Sequence, residues 1–283
     1  MAELSMATFT DTVIGAIGPG ATPRVRTVMT ALIRHLHDFA REVKLTTPEY
    51  RAACDFIVRI GRMSDDKRNE AVLASDVFGL ESLVDVLDHH NAERGAATDS
   101  AVLGPFWREH SPLLDHGASI VRGGQDGESV FVCGRVLGVN GQPVGNARIA
   151  VWETAPNGLY EQQDPEQPDF NLRGQFCTDA EGRYAFRALR PIAYPIPFDG
   201  PAGELLQMMD RHPFRPAHIH FRVRAPGYHE LVTQIFDRDD RYLASDSVFA
   251  VKDSLTVEFR PAPAGADTRW HVAFDIVLEP LAG

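Results

Sequence analysis

The stretch His218-Ile219-His220-Phe221-Arg222-Val223 has the alternating pattern and the branched and aromatic side chains of a β-strand. Five other segments after Gly95 share this character, being short, rich in Val, Ile and Phe, and bounded by turn residues: 129–136, 147–152, 184–187, 231–236 and 271–278. Because these segments follow one another without helical patterns between them, they predict an antiparallel β-sandwich rather than a parallel α/β sheet.

The part of the chain before Gly95 has a helical periodicity instead. Between residues 22 and 43, apolar side chains recur at the spacing of one helix face: Val25, Val28, Leu32, Leu36, Phe39 and Val43. A second helix is predicted to start at Thr47, with Thr47 as N-cap and Pro48 at the first helical position. Such amphipathic faces must pack on the β part, on one another or on a second subunit. We therefore expect a helical domain over residues 1–95 and a β-sandwich domain over residues 96–283; that the helical domain is a linker and dimerisation domain is implied only by the family resemblance given below.

Composition and charge exclude several classes of protein. The chain has 39 acidic and 28 basic residues, a formal charge of −11, and no clustered basic stripe, so binding to nucleic acid or anionic lipid is not expected. No apolar run approaches the roughly 20 residues that span a bilayer, and the first residues lack the basic start of a secretory signal. Three widely separated cysteines, Cys54, Cys133 and Cys177, predict buried free thiols in a cytoplasmic protein.

The first candidates for chemistry are His218 and His220. Alternate side chains of a strand leave the same face, so both imidazoles could bind one metal ion. The same spacing at His35 and His37 falls on a predicted helix, where the two rings diverge by about 200°. Two packing or surface histidines are the alternative interpretation of the strand pair. A zinc or ferrous site would require a nearby Cys, Asp or Glu, and the residues before the pair offer none.

Two tyrosines in the polar, proline-rich segment 160–214 are the next candidates. Long segments without evident secondary structure are often functional. Tyr160 ends the run Asn157-Gly158-Leu159-Tyr160, and Tyr194 begins Tyr194-Pro195-Ile196-Pro197. A tyrosine has a pKa of about 10, which a hard trivalent cation can lower enough for a phenolate to bind it at neutral pH. The alternative for each tyrosine is an ordinary half-buried aromatic.

Together these motifs resemble those of the intradiol catechol dioxygenases. The resemblance rests on three motifs: residues 193–201 around Tyr194, residues 215–220, and Trp152-Glu153-Thr154 before Gly158-x-Tyr160. It covers the chain from the helices near Ala71 to the C terminus. It implies one Fe(III) per subunit, with four ligands: Tyr160, Tyr194, His218 and His220. It also implies a homodimer formed by the N-terminal helices, commonly with bound phospholipid.

The resemblance further implies roles in cleaving an aromatic diol with O2. Tyr194 would be displaced when the diol binds and would accept one of its protons as general base. Arg215 and Gln234 would face the ring, where positive charge and an amide donor stabilise developing negative charge. The alternatives are a surface guanidinium for Arg215 and a strand-face amide for Gln234.

Ten positions are implied as the substrate pocket: Leu73, Asp76, Val102, Leu103, Gly104, Pro105, Phe106, Ile196, Pro197 and Val248. Catechol enzymes of this kind usually carry an apolar residue or proline where this chain has Asp76, whereas hydroxyquinol enzymes carry aspartate. Leu103 departs from the aromatic residue that is common at its position. A helix N-cap is the alternative role for Asp76. We expect hydroxyquinol (1,2,4-trihydroxybenzene) as substrate, cleaved to a hydroxymuconate or maleylacetate in aromatic degradation, with catechol or chlorocatechol, giving cis,cis-muconates, as the alternative.

Two other classes of protein compete with this interpretation. A transthyretin-like binding module would share the sandwich and its turns, but it has no reason to carry two tyrosines and the histidine pair. An extradiol or other ferrous dioxygenase would require a carboxylate beside two histidines. The sequence has no GxSxG, GxGxxG or P-loop motif, which excludes the familiar serine-hydrolase and nucleotide-binding classes.

Overall fold

The structure is a computed structural model that describes residues 8–89, 97–124 and 126–281. Contacts within the chain divide it into two compact units, Met1–Val58 and Arg59–Gly283. The predicted boundary between residues 95 and 96 lies outside the described residues, so it stays a prediction.

The N-terminal unit is helical, with α1 (Phe9–Gly15), α2 (Pro23–Glu42) and the start of α3 (Thr47–Met63). Helix α2 begins where Thr22 Oγ1 accepts a hydrogen bond from the backbone N–H of Val25, at 3.3 Å. The predicted cap of α3 was wrong by one residue. Thr46 caps this helix, because Glu49 closes a reciprocal capping box with it: the Thr46 N–H donates to Glu49 Oε2 at 2.8 Å.

The second unit contains three short helices, α4 (Glu70–Val77), α5 (Leu80–His89) and α6 (Pro201–Met208). Asn69 caps α4 through a 3.1 Å hydrogen bond from the Val72 N–H, which fixes the start of this helix. Asp76 lies inside α4 and is buried, which excludes its alternative role as an N-cap. Helix α6 was not predicted, because its proline-rich surroundings suggested a loop.

The described part of the chain contains twelve strands, named here in chain order: β1 (Ser129–Gly138), β2 (Arg148–Trp152), β3 (Arg173–Cys177), β4 (Arg183–Leu189), β5 (Tyr194–Pro195), β6 (Phe214–Arg215), β7 (His218–Arg224), β8 (Leu231–Asp237), β9 (Thr256–Val257), β10 (Arg260–Pro261), β11 (Trp270–Ala273) and β12 (Ile276–Leu278). One sheet has the order β10-β11-β1-β12, with β4 also paired to β1, and the second has the order β3-β2-β7-β8-β9. Strands β5 and β6 form a separate antiparallel pair.

The predicted sandwich is confirmed, but its sheets are mixed rather than purely antiparallel. Strand β1 runs parallel to β11 and to β12, and β8 runs parallel to β9. Parallel neighbours need a crossover of a dozen residues or more, which the long chain segment between β1 and β11 provides. The single strand predicted over residues 271–278 is two strands, because Asp275 interrupts the ladder and accepts a hydrogen bond from the Arg135 N–H.

Side chains of both sheets form one apolar core. Phe176 of β3 stacks on Phe186 of β4 with ring centroids 5.3 Å apart, and Phe221 of β7 packs against the same ring at 6.0 Å. Strand register then positions the chemistry: Trp152, His220 and Gln234 are direct neighbours across β2, β7 and β8. Directly paired residues project from the same face of a sheet, so these three side chains form one row.

Two further expectations can be compared with the structure. Within the described ranges, no helix is long and apolar enough to cross a membrane. The three cysteines form no disulfide, but the predicted burial was wrong for Cys54 and Cys177, which are exposed. Cys54 lies on the amphipathic α3, and Cys177 is the last residue of β3, where the strand leaves the core.

Candidate active site

Two tyrosines and two histidines converge at one buried point. The Tyr160 hydroxyl lies 3.1 Å from the Tyr194 hydroxyl and 3.1 Å from His220 Nε2. His218 Nε2 lies 3.1 Å from His220 Nε2 and 3.5 Å from the Tyr194 hydroxyl. Four potential ligand atoms therefore surround a common centre, at separations that suit ligands each about 2 Å from one metal ion.

Local backbone structure brings the two tyrosines together. Tyr160 ends a loop, and its N–H donates to Gln163 Oε1 at 2.9 Å as a short 3-10 helix begins. Tyr194 opens β5, where it pairs with Arg215 of β6. Gly158 has a φ of +80° and approaches Tyr194 closely: a Cβ at this position would lie 3.3 Å from the Tyr194 Cβ. Glycine here meets both the positive φ and the close approach of the two segments.

The two imidazoles are oriented by different contacts. His218 Nδ1 lies 2.7 Å from the Pro216 carbonyl oxygen, which requires an N–H at Nδ1 and leaves the lone pair of Nε2 facing the cluster. His220 is stacked on Trp152, with ring centroids 4.6 Å apart and an interplanar angle of 9°. Its Nδ1 is buried and has no hydrogen-bond partner among the described residues, so aromatic packing holds this ring.

Burial sets the protonation states of the cluster in the metal-free chain. Burial, with the positive charge of Arg215, holds the pKa of His218 well below its usual range, and burial does the same for His220. Both imidazoles are therefore neutral, as a metal ligand requires. Burial also raises the pKa of Tyr160 and of Tyr194, so both side chains are phenols until a cation favours the phenolates.

The donor set fits a hard cation and contains no carboxylate. Among the residues that the structure describes, no group of three or more His, Cys, Asp or Glu side chains could hold a metal ion. Two phenols and two neutral imidazoles at this spacing are chemically able to bind a metal ion.

Arg215 lies beside this cluster and is buried, so its alternative role as a surface guanidinium is wrong. Its Nη1 lies 3.0 Å from His218 Nε2, and its Nη2 donates to Gln234 Oε1 at 2.9 Å. The amide nitrogen of Gln234 donates to the Val102 carbonyl at 2.7 Å. Asp246 completes the group by accepting from Arg215 Nε at 3.2 Å. Asp246 was missed in the sequence, which gives no signal of which acidic residue pairs with Arg215.

A small, narrow cavity opens onto the cluster. Nine of the ten predicted pocket residues line it: Leu73, Asp76, Val102, Leu103, Gly104, Pro105, Phe106, Ile196 and Val248. Pro197 lies outside this lining. Four residues of the cluster and its surroundings complete the wall: Tyr160, Tyr194, Arg215 and His220. Among the described residues of the wall, Asp76 is the only one with a carboxyl group, and burial together with the nearby Glu81 raises its pKa to about 9.

The chain is similar to known proteins along most of its length. Residues 22–96 match the family model described as catechol dioxygenase N terminus, and residues 102–280 match the dioxygenase model. A catechol 1,2-dioxygenase of Candida albicans is 51% identical over 253 residues, 89% of this chain and 83% of that protein. A 6-chlorohydroxyquinol 1,2-dioxygenase of Cupriavidus pinatubonensis is 42% identical over 280 residues, 99% of each chain. The solved structure of hydroxyquinol 1,2-dioxygenase from Pseudomonas putida DLL-E4 has a TM-score of 0.89 at 40% identity, covering 98% of this chain and 99% of that chain.

A helical N-terminal part, a β-sandwich and a buried cluster of two tyrosines and two histidines define an aromatic-ring dioxygenase. Both parts of the chain match the corresponding family models, and the relatives match it along most of their length. The chain belongs to the intradiol ring-cleavage dioxygenase family. The two alternative classes, a transthyretin-like binding module and an extradiol dioxygenase, were therefore wrong.

Proposed function

We propose that this enzyme cleaves hydroxyquinol with O2 between its two adjacent hydroxylated carbons, giving a hydroxymuconate and its tautomer maleylacetate. Both oxygen atoms enter the product, so no other reductant or oxidant is required. The single observation that carries the choice of substrate is the position of Asp76, a buried carboxyl group in the cavity wall. A relative named for catechol and a relative named for a hydroxyquinol both match this chain, so sequence identity alone does not decide between the two substrates.

Asp76 discriminates because its neighbours in the cavity wall are apolar. Leu73 and Val248 are buried side chains of the same wall. Oδ1 of Asp76 is buried and has no hydrogen-bond partner among the described residues. The third hydroxyl of hydroxyquinol would satisfy this carboxyl group, whereas catechol would leave it unpaired. A buried polar group that loses its partner costs about 1–3 kcal/mol, which favours the trihydroxylated ring.

We also propose that one Fe(III) ion per subunit binds to Tyr160, Tyr194, His218 and His220. The two phenols and two neutral imidazoles of the cluster support this assignment. When bound, the ion would supply a Lewis acid that polarises the aromatic diol.

The protein side chains then handle protons and charge. Tyr194 lies in the cavity wall, and as a phenolate it accepts a proton from one diol hydroxyl. The nearby positive charge of Arg215 opposes the effect of burial on the pKa of Tyr194. Arg215 remains charged because Asp246 raises its pKa further, so it stabilises negative charge that develops on the ring. Gln234 also holds the guanidinium in place, because its Oε1 accepts a hydrogen bond from Arg215 Nη2.

A second candidate is cleavage of catechol or a chlorocatechol. The 51% identity to the catechol 1,2-dioxygenase of Candida albicans favours it. The two candidates share the metal centre and differ only in the role given to Asp76.

Oxygen uptake by the purified, iron-loaded protein on hydroxyquinol and on catechol tests the proposal. A reaction without enzyme is the control, because hydroxyquinol oxidises spontaneously. Rapid uptake on hydroxyquinol with little on catechol is the expected result. Faster oxygen uptake on catechol would be compatible with the proposed metal centre but would overturn the choice of substrate. If the iron-loaded protein consumed oxygen with neither diol, both candidate functions would be overturned.

We further propose a cytoplasmic homodimer joined through the N-terminal helices, with phospholipid between them. In support, the apolar face of α2 is exposed in the single chain: Val25, Val28, Met29, Leu32, Leu36 and Phe39. The three unpaired cysteines are consistent with a reducing compartment. Light scattering of the full chain and mass spectrometry of a solvent extract would measure the subunit number and the bound lipid.

A further inference from the structure

Arg173, the first residue of β3, is a buried arginine that is not among the residues lining the cavity. Strand register places it directly opposite Trp152 of β2, and Trp152 lies directly opposite His220 of β7. Because directly paired residues project from the same face of a sheet, Arg173 extends the row of side chains that contains His220. The sheet therefore brings a positive charge to the edge of the cluster of tyrosines and histidines.

The Arg173 guanidinium faces the ring of Tyr160. Its central carbon lies over that ring, 5.5 Å from the ring centroid. Phe106 also stacks on Tyr160, with centroids 4.6 Å apart, so an aromatic and a cationic group both contact the ring. A cation within about 6 Å of a ring centroid is attracted to the π electrons. A ring that carries the negative charge of a phenolate attracts the cation more strongly.

The two residues that follow Tyr160 in the chain hold the guanidinium in place. Nε of Arg173 donates to Glu161 Oε2 at 2.6 Å, and Nη2 donates to Gln162 Oε1 at 2.7 Å. Both acceptors belong to the short 3-10 helix that begins directly after Tyr160. Arg173 therefore fixes the tyrosine in two ways, through its ring and through the chain segment that continues from it.

The charged groups around Arg173 leave an excess of positive charge beside the ring. Glu161 is buried and is shared by two guanidiniums, because its Oε1 accepts a hydrogen bond from Arg108 Nη1 at 2.5 Å. The other carboxylate partner of Arg108 is Asp169, whose side chain is largely exposed and is therefore screened by solvent. One buried carboxylate thus faces two arginines, which stay protonated in proteins. The remaining positive charge complements a negative charge on Tyr160.

We propose that Arg173 is a positioning residue for Tyr160: it holds the ring toward the cluster, and its charge stabilises negative charge on the ring when a metal ion is bound. This inference rests on the proposed iron site and adds a residue outside the ligand set. Arg173 is neither a ligand nor part of the cavity wall, so its effect passes through Tyr160.

Loss of the guanidinium should weaken iron binding. Arg173→Gln removes the charge and keeps an amide that can still donate to Glu161. We expect the affinity for ferric iron, measured by competition with a chelator, to fall roughly 10- to 100-fold, as it does when residues that orient metal ligands are replaced. Arg190→Gln is the matched control, since Arg190 pairs with Asp237 at 2.7 Å and lies over the Trp270 ring at 4.1 Å, and none of these three residues lines the cavity. The iron affinity of this control should match that of the wild-type protein.

A double-mutant cycle shows whether Arg173 acts through Tyr160. Iron affinity is compared for Arg173→Gln, for Tyr160→Phe and for the two changes combined. If the guanidinium acts on the phenolate, Arg173→Gln should cost much less affinity in the Tyr160→Phe background than in the wild-type protein, because the two changes are coupled. Equal fold losses in the two backgrounds would overturn the proposal.

The visible spectrum of the ferric protein separates charge from packing. A positive charge near a phenolate makes electron transfer from that phenolate to iron harder, so the absorption band of Arg173→Gln should move to longer wavelength. Glu161→Gln removes the negative charge that offsets the guanidinium, so its band should move to shorter wavelength. Arg173→Lys keeps the charge, so its band should stay closer to that of the wild type than the band of Arg173→Gln does.

Altered packing alone gives no reason for shifts of opposite direction in Arg173→Gln and Glu161→Gln. Shifts in the same direction, or no shift in either variant, would overturn the proposal. If Arg173→Gln does not fold, Glu161→Gln decides: a shift to shorter wavelength supports the proposal, and a shift to longer wavelength or none overturns it.

Failure of this inference can be told from failure of the proposed iron site, and none of these measurements uses a substrate. An unchanged iron content and spectrum in Tyr160→Phe would overturn the iron site and the role of Arg173 with it. A changed spectrum in Tyr160→Phe together with an unchanged spectrum and affinity in Arg173→Gln would overturn the role of Arg173 alone.

Discussion

Arg215 and Asp246 form a buried ion pair beside the cavity, with Arg215 Nε 3.2 Å from Asp246 Oδ1 and Nη2 3.3 Å from Oδ2. Asp246 also accepts the backbone N–H groups of Val248 and Ala250, at 3.2 and 3.0 Å, which fixes its own position. The Arg215 guanidinium, which lines the cavity, is thus oriented by a carboxylate that does not itself line it.

Replacing Asp246 with Asn should therefore impair catalysis and stability together. Removing one partner of a buried ion pair costs about 3–5 kcal/mol, and a guanidinium that has lost its carboxylate will reorient. We expect kcat on hydroxyquinol to fall by roughly one to two orders of magnitude, since each 1.4 kcal/mol of lost transition-state stabilisation is about tenfold. Stopped-flow or electrode measurements of kcat, with urea denaturation of the same samples, would report both effects.

Asp237→Asn is the matched control for that experiment. Asp237 pairs with Arg190 at 2.7 Å, and neither residue lines the cavity. This variant should lose stability while the folded fraction keeps most of its kcat. Equal losses of kcat in the two variants would remove the specific role of Asp246.

Tyr160→Phe tests the metal ligands. The change removes one phenol oxygen from the cluster and leaves the ring that stacks on Phe106, with centroids 4.6 Å apart. We expect iron affinity to fall by roughly tenfold or more and the visible colour of the ferric protein to shift, because one phenolate-to-iron transition is lost. Tyr184→Phe is the control, since the Tyr184 hydroxyl donates to the Phe274 carbonyl in the core, away from the cluster. Unchanged iron content and spectrum in Tyr160→Phe would refute the assignment.

Asp76→Ala tests the choice of substrate. The variant removes the polar group of the cavity wall, so hydroxyquinol loses a hydrogen bond that catechol never made. A hydrogen bond of about 1–3 kcal/mol corresponds to a five- to roughly 150-fold fall in the hydroxyquinol-to-catechol ratio of kcat/KM. Competition between the two diols, followed by chromatography of their products, would measure this ratio directly. Equal losses on both diols would remove Asp76 from the specificity argument.

Parts of the site could be predicted because they follow from local sequence. The period of a strand places His218 and His220 on one face, and β7 does so as expected. The tyrosines lie in loops without periodicity, so only the resemblance of their flanking motifs to a family pointed to Tyr160 and Tyr194. Their convergence within 3.1 Å depends on contacts that no local pattern contains.

The residues that the sequence did not reveal are partners of other residues. Arg173 and Asp246 matter because of what they touch, and their partners Tyr160 and Arg215 lie elsewhere in the chain. The direction of strand pairing was missed for the same reason, since the parallel pairing of β1 with β11 and β12 joins distant segments. Predictions made from neighbouring residues were more accurate than those that depend on contacts between distant segments. The N-cap of α3, for example, lies only one residue before its predicted position.

The pH dependence of stability gives a last test of the buried acid. The pKa of Asp76 is about 9 in the folded chain, against an ordinary value of 3.8. Between these pH values the Asp76 carboxyl group is protonated in the folded protein and ionised in the unfolded chain. This group therefore makes the free energy of unfolding fall as the pH rises, by at most about 1.4 kcal/mol per pH unit. Asp76→Asn lacks this proton, so its stability relative to the wild type should increase from about pH 6 to about pH 8 in urea denaturation. The control Asp88→Asn, which alters an exposed carboxyl group of α5, should show no such trend. A relative decrease for Asp76→Asn over the same range would mean that Asp76 is ionised in the folded protein, and the neutral acid would have to be abandoned.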